Sequence, residues 1–255
     1  MQCHHYDAGR CRSCTLLEVA YPTQVADKER HVRDLLTPLP GARDLAWLPP
    51  VTSTEHGFRN KAKMVVTGSI EAPVIGILGA LPSEEPRGVD LTDCPLYPPA
   101  LQAAFGPLAE LVTRARLQPY DLTPSRTRVT PRDAARRGEL KHLLVTVSPA
   151  GELMVRLVLR SQEPVARLRK HLPWLQAALP RLAVLSVNLQ PEHKAVLEGP
   201  DEIVLTERGT LPITLPITLP ITPAVTLPIT PPAGHDVGQP VGARPAVRQE
   251  TSAPA

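Results

Sequence analysis

Apolar residues recur along positions 1–209 with two different spacings, which predict helices and strands respectively. Helical spacing extends over residues 22–37, 99–117 and 163–179. Alternating or β-branched stretches, typical of strands, cover residues 58–69, 74–78, 140–147, 153–159, 183–189 and 203–205. Short turns join the first two strands and the next two, so we predict two hairpins. Strand pairs followed by helices favour an α+β fold with a mixed β-sheet.

The pattern changes near residue 210. Four copies of Leu-Pro-Ile-Thr follow, at residues 211–214, 215–218, 219–222 and 227–230. Proline at every fourth position is incompatible with a helix or a central strand, and the last aromatic residue of the chain is Trp174. We therefore expect residues 210–255 to form a low-complexity, disordered Pro-rich tail without a core.

Charge and targeting signals narrow the class of protein only slightly. The chain carries 28 Lys and Arg against 25 Asp and Glu, a formal net charge of +3. No stretch approaches the roughly 18 consecutive apolar residues of a membrane span, and the N-terminus lacks the pattern of a secretion signal. We therefore expect a cytoplasmic monomer with no membrane partner. Disulfides seldom persist in that compartment, so the four cysteines require a metal or redox explanation.

The cysteines are Cys3, Cys11, Cys14 and Cys94. Structural zinc sites usually present two close pairs of ligands, whereas this chain has one close pair and two isolated thiols. The spacing therefore favours an iron–sulfur cluster modestly, and four unligated thiols remain the alternative. His4 and His5 are competing zinc ligands, but adjacent histidines near a terminus are more often solvated side chains.

Basic residues alternate along the predicted strand over residues 58–66. Arg59, Lys61 and Lys63 would point to one face, while Phe58 would share the apolar, core-facing side. Cations at every second position of an extended chain can meet successive phosphates of an RNA, although basic residues on a strand are more often simply solvated. A second basic cluster spans residues 123–142 and includes Arg137 and Lys141.

Several blocks of this sequence occur in the same order in one known family. They are residues 1–14, 57–66, 93–97, 137–141, 158–161, 172–175 and 187–191. Over residues 1–207 the chain resembles the N-terminal half of bacterial 23S rRNA (uracil-C5)-methyltransferases of the RlmC, or RumB, type. The resemblance implies that Cys3, Cys11, Cys14 and Cys94 hold a [4Fe-4S] cluster of structural role, and that the partner is 23S rRNA rather than DNA. Compared with that family, residues 124–135 resemble an insertion.

The resemblance also implies a reaction whose catalytic parts are missing from this sequence. The family methylates uracil at C5 with S-adenosylmethionine, after a cysteine thiolate has added to C6. The cofactor requires a Gly-rich turn after a strand, and the chemistry requires a free cysteine. No such turn occurs here, and all four cysteines match cluster ligands. We therefore predict no catalytic residue and no S-adenosylmethionine site.

The expected organisation has three parts. Residues 1–98 form an iron–sulfur segment with a basic hairpin, closed by Cys94. Residues 99–209 form the α+β remainder of the N-terminal half, and residues 210–255 form the tail that stands in place of the methyltransferase domain. The function expected is that of a truncated methyltransferase, inactive alone. The alternative is a standalone iron–sulfur RNA-binding protein without catalysis, and a minor possibility is that the tail is a ligand for an aromatic groove of a partner.

Overall fold

One β-sheet organises the residues that the structure, a computed structural model, describes: 1–79, 88–121, 137–192 and 196–214. Its strands are β1 Lys61–Gly68, β2 Pro73–Leu78, β3 Gly88–Asp90, β4 Leu140–Val147, β5 Leu153–Leu159, β6 Leu182–Leu189 and β7 Asp201–Val204. The helices of these residues are α1 His4–Asp7, α2 Tyr21–Leu36, α3 Pro99–Arg114 and α4 Val165–Ala178, with a short 3-10 turn at Ala42–Asp44.

The strands lie in the order β3-β2-β1-β4-β5-β6-β7. All neighbours are antiparallel except β5 and β6, which are parallel and connected through α4. The predicted hairpins β1–β2 and β4–β5 and the three predicted helices are confirmed. Strand β3 was not predicted, because three residues beside a Pro- and Gly-rich stretch carry too little periodicity. Strand β1 begins at Lys61, three residues later than expected.

The main core lies between one face of the sheet and the two helices α3 and α4. Leu101, Phe105 and Leu108 of α3 recur at helical spacing and are at most 1 % exposed, as are Met64 of β1 and Leu143 of β4. Because β1 and β4 are paired, side chains from both sides of the predicted boundary at residues 98 and 99 enter the same core.

The beginning of the repeat segment is packed, contrary to the expectation for a tail from residue 210. Leu211 is fully buried against Met154 and Val184, on the sheet face opposite α3 and α4, and Ile213 is 6 % exposed. The first Leu-Pro-Ile-Thr unit is therefore extended chain that covers part of the sheet with alternate side chains. Residues 215–255, with the other copies of the repeat, lie outside the described residues.

Helix α2 forms where apolar spacing predicts it, but none of its residues is buried. Val32 and Leu35 are 45 % and 61 % exposed, so the described residues do not cover its apolar face. The guanidinium of Arg33 lies 4.1 Å from the centre of the Trp47 ring and fastens the following loop to the helix. No helix among the described residues is both long and apolar enough to cross a membrane.

His142, on strand β4, should make the stability of the fold depend on pH. Burial, followed by the neighbouring Lys141 charge, lowers the pKa of His142 from 6.5 to about 4, although Glu198 opposes this. Between about pH 4 and pH 6.5, His142 therefore binds a proton in the unfolded chain but not in the folded chain. The free energy of unfolding falls as the pH decreases through this range. At about 1.4 kcal/mol per pH unit, His142 accounts for a loss of up to about 3 kcal/mol at pH 4.

Urea unfolding of the unmodified chain and of His142→Gln at pH 7.5, 5.5 and 4.5 measures this loss. The variant should be less sensitive to acid, and identical pH dependence in the two proteins would contradict the assignment.

Candidate metal centre

All four cysteines line one cavity of about 300 Å³. Cys3 is buried, and Cys11, Cys14 and Cys94 are partly buried. Cys94 lies 80 positions after Cys14 in the sequence, so the fold brings together two distant segments. The same cavity is lined by His5, Tyr6, Arg59, Lys61, Lys63, Leu91 and Tyr97, among others.

A compact turn positions the N-terminal thiols. The carbonyl oxygen of Cys3 accepts the N–H groups of Tyr6 and Asp7, both at 3.0 Å, which starts α1. The carbonyl of His5 accepts the N–H of Cys11 at 3.1 Å, and Gly9 turns the chain between them with a φ of +70°. A non-glycine residue rarely adopts this backbone conformation, so the glycine allows Cys11 to return to the side of Cys3.

The segment after β3 positions the fourth thiol. The side-chain amide of Gln102, on α3, donates a hydrogen bond to the carbonyl of Cys94 at 2.9 Å. The chain just before β1 pairs with the residues that follow Cys94, because the N–H groups of Gly57 and Arg59 bind the carbonyls of Pro95 and Leu96 at 2.9 Å. The sheet and α3 thus hold Cys94 from both sides.

A histidine and a carboxylate join the two thiol-bearing segments directly. His5 Nε2 lies 2.6 Å from an oxygen of Asp93, the residue before Cys94, and His4 Nε2 lies 3.2 Å from its other oxygen. His5 is only 3 % exposed, which corrects the expectation that both histidines are solvated. Sequence spacing could not reveal this, because the partner of His5 lies 88 residues away. The three side chains place their ligand atoms within 4.8 Å of one another.

Thiolates are disfavoured in this cavity unless a positive charge lies among them. Burial raises the pKa of Cys94 and of Cys14, and the neighbouring thiols raise both further. Four thiolates at this site would repel one another unless a positive charge lay among them. The guanidinium of Arg59 supplies part of that charge, because it acts to lower the pKa of Cys14.

The three cations predicted for the first strand, Arg59, Lys61 and Lys63, line the thiol cavity. Lys61 and Lys63 lie on the β1 face opposite the buried Ala62 and Met64, as predicted, and Arg59 precedes the strand. Burial lowers the pKa of Lys61, with Lys63 and Arg156 adding to the effect, whereas Lys63 is exposed. Phe58 was expected in the core but is 51 % exposed, because the strand has not yet begun at that residue.

Lys141, one of the two named members of the second basic cluster, does not join this surface. Lys141 is 2 % exposed, and its amine donates to Gln190 Oε1 at 2.8 Å and to the carbonyl of Glu192 at 2.5 Å. Burial lowers its pKa to about 8. Its partners lie 49 and 51 residues further along the chain, so no local pattern predicts this burial. Lys141 therefore does not offer its charge to a nucleic acid.

Arg137 is partly exposed and donates to the carbonyl of Asp121 at 3.0 Å. It precedes the first residue of β4, whereas Lys61 pairs with Thr146 near the last, so the two cations lie at opposite ends of that strand. Most of the cluster, including the insertion at residues 124–135, lies outside the described residues.

Comparison with curated proteins finds close relatives. A 23S rRNA (uracil(747)-C(5))-methyltransferase RlmC of Yersinia enterocolitica is 48 % identical over 213 residues, which are 83 % of this chain and 52 % of the relative. Proteins of the same name from Yersinia pestis and Yersinia pseudotuberculosis are 49 % identical over the same lengths. The chain thus spans about half the length of the curated relatives it matches. No family model matches the chain.

Comparison with solved structures finds the same kind of fold. The tRNA (uracil-54, C5)-methyltransferase of Pyrococcus abyssi, solved in complex with S-adenosyl-L-homocysteine, superposes with a TM-score of 0.50 and 14 % sequence identity. The match covers 80 % of this chain and 42 % of that protein. The seven-stranded sheet with its helices is therefore an architecture found within a larger enzyme.

Proposed function

Because this chain is related over 213 residues to the RlmC-type 23S rRNA (uracil-C5)-methyltransferases and spans about half their length, we propose that it supplies the cluster-holding and RNA-engaging half of such an enzyme. One observation carries the proposal: four thiols from two distant segments converge on a cavity lined by three cations of β1 and its approach. Neither feature alone distinguishes this function from a solvated strand or a set of free thiols, but their coincidence favours it.

The group we assign to the cavity is a [4Fe-4S] cluster held by the thiolates of Cys3, Cys11, Cys14 and Cys94. Four thiols form the usual ligand set for such a cluster. Tetrahedral zinc with Zn–S bonds of about 2.3 Å would require sulfur atoms roughly 3.8 Å apart. Structural zinc sites usually present two close pairs of ligands, whereas this chain has one close pair and two isolated thiols, so the spacing in the sequence favours the cluster. When bound, the cluster would supply a bond network that joins the N-terminus to the Cys94 segment.

The partner we assign is 23S rRNA, bound through Arg59, Lys61 and Lys63. Lys63 is exposed, and all three residues line the thiol cavity, so folding the metal centre also fixes the spacing of the cations. A row of cations on an extended strand can contact successive phosphates, which is the usual source of affinity for RNA.

Methyl transfer requires parts that these residues do not offer. A Gly-rich turn between a parallel strand and a helix normally binds the cofactor, but the described sheet is antiparallel except between β5 and β6. S-adenosylmethionine therefore does not fit the described residues. No cysteine other than the four proposed ligands is present to attack uracil C6. The alternative, a standalone iron–sulfur RNA-binding protein, shares the cluster and the cations and differs only in needing no catalytic half.

The cluster is tested by a metal count. Protein purified without oxygen should contain about four irons and four acid-labile sulfides per chain and show a broad visible absorption band. Cys94→Ser should lose most of both, because one of the two thiol-bearing segments then provides no ligand. Ser13→Ala is the matched control, since Ser13 lines the same cavity without a sulfur atom, and it should retain the cluster. Stoichiometric zinc, or equal iron in Cys94→Ser and the unmodified chain, would refute the assignment.

The cationic surface is tested by the salt dependence of binding to a 23S rRNA fragment. Lys63→Ala should weaken binding and reduce the slope of log K against log salt by about 0.7–0.9, the loss of one phosphate contact. Lys170→Ala is the control, because Lys170 is exposed on α4, which covers the other face of the sheet. Lys141→Met should also bind normally, since its amine is buried. Equal losses in Lys63→Ala and Lys170→Ala would indicate only a general effect of charge.

The absence of catalysis is tested with radiolabelled S-adenosylmethionine and unmodified 23S rRNA. These 255 residues alone should incorporate no methyl group at C5, because the described residues present no cofactor site and the sequence contains no fifth cysteine. Incorporation of the label by the unmodified chain would refute this prediction. If a polypeptide that carries the remaining half of a relative restores methylation when added, the proposal is favoured over the standalone alternative.

A further inference from the structure

One buried polar atom beside the thiol cavity has no partner. Among the described residues, His5 Nδ1 is buried and makes no hydrogen bond, although the ring borders the cavity with the four cysteines. Leaving a buried nitrogen without a hydrogen bond is costly, so such an atom usually has a partner, which can be an ordered water or a bound ion. The other ring nitrogen is already engaged, because Nε2 lies 2.6 Å from Asp93.

His5 also contacts both chain segments that carry the proposed cysteine ligands. One residue separates it from Cys3, and its carbonyl accepts the N–H of Cys11 at 3.1 Å. Through Asp93 its side chain reaches the residue next to Cys94. Three of the four thiols are therefore fixed relative to one buried imidazole, and a buried ring with a single carboxylate partner has little freedom to rotate.

We infer that His5 is a positioning residue of the metal centre, which binds Asp93 through Nε2–H and donates a hydrogen bond from Nδ1–H to a sulfur atom in the cavity. This inference rests on the proposed cluster. The ring lies between the Asp93 carboxylate, which contacts Nε2, and the cavity that the four cysteines line. Hydrogen bonds from surrounding groups to the sulfur atoms are a recognised means by which proteins tune iron–sulfur centres.

Two substitutions separate the two hydrogen bonds. In His5→Gln the side-chain amide takes the place of Nε2, so the contact with Asp93 can remain while the donor to sulfur is lost. In His5→Asn the amide takes the place of Nδ1, so the donor to sulfur can remain while the contact with Asp93 is lost. His4→Gln is the matched control, because His4 is exposed and contacts the other oxygen of Asp93.

Two readouts on the full chain, reconstituted with iron and sulfide without oxygen, test the roles. The first is the resonance Raman spectrum of the Fe–S stretching bands in H₂O and in D₂O, which responds to a hydrogen bond on sulfur and not to general stability. The second is the rate at which a chelator removes iron. We expect displaced bands with a smaller deuterium shift in His5→Gln, and unmodified bands with several-fold faster iron loss in His5→Asn. His4→Gln should change neither readout.

The possible results are distinguishable from failure of the proposed function. Unmodified protein without iron and sulfide would refute the cluster and this inference together. A normal cluster in the unmodified protein, with both readouts unchanged in the two His5 variants, would refute only the role of His5. A strong ¹⁴N coupling in the electron paramagnetic resonance spectrum, lost in His5→Gln, would make His5 a ligand and overturn the hydrogen-bonding role. If neither His5 variant retains iron while His4→Gln does, the positioning role stands and the donor role is rejected.

Discussion

The structure of this chain depends on bringing Cys94 to the three thiols near the N-terminus. Two kinds of contact achieve this: the pairing of residues 57 and 59 with 95 and 96, and the hydrogen bond between His5 and Asp93. The first contact can form only when β1, β2 and β3 are in place, because those strands set the position of the Cys94 segment. The cavity lined by the four thiols is therefore assembled by the sheet, and a bound cluster would in turn stabilise the sheet against unfolding.

This arrangement places negative and positive charges side by side for a physical reason. Burial raises the pKa of Cys14 and of Cys94, the neighbouring thiols raise both further, and the Arg59 guanidinium opposes the effect at Cys14. The remaining cations extend along β1, where Lys61 is partly desolvated and Lys63 is exposed. Arg59 thus places a positive charge beside the thiols, and Lys63, four residues later, presents a positive charge to solvent.

Local pattern was sufficient to predict most elements of the fold, but it missed the three-residue strand β3 and failed where contacts over long sequence distances decide the outcome. Strands β4 and β5 follow from alternation and β-branched residues, and their bounds were predicted to the residue. The burial of Lys141 depends on partners 49 and 51 residues away, and the burial of His5 on a carboxylate 88 residues away, so neither leaves a local signal. Leu211 resembles every other leucine of its repeat, and its burial follows from its contact with Met154 of β5 and Val184 of β6.

The number of cysteines in this chain bears on whether it can methylate RNA or only bind it. A cysteine that ligates iron cannot also attack a uracil, because its lone pairs and its position are committed to the metal. A chain that binds a cluster with four thiols therefore requires a fifth for uracil chemistry, and these 255 residues contain four. The one parallel strand–helix connection of the described sheet, from β5 to α4, contains no glycine, so it offers no Gly-rich turn for the cofactor either. The additional cysteine and the cofactor-binding turn are thus both lacking from the described residues. This is expected if the relatives carry them in the half of their length that this chain does not match.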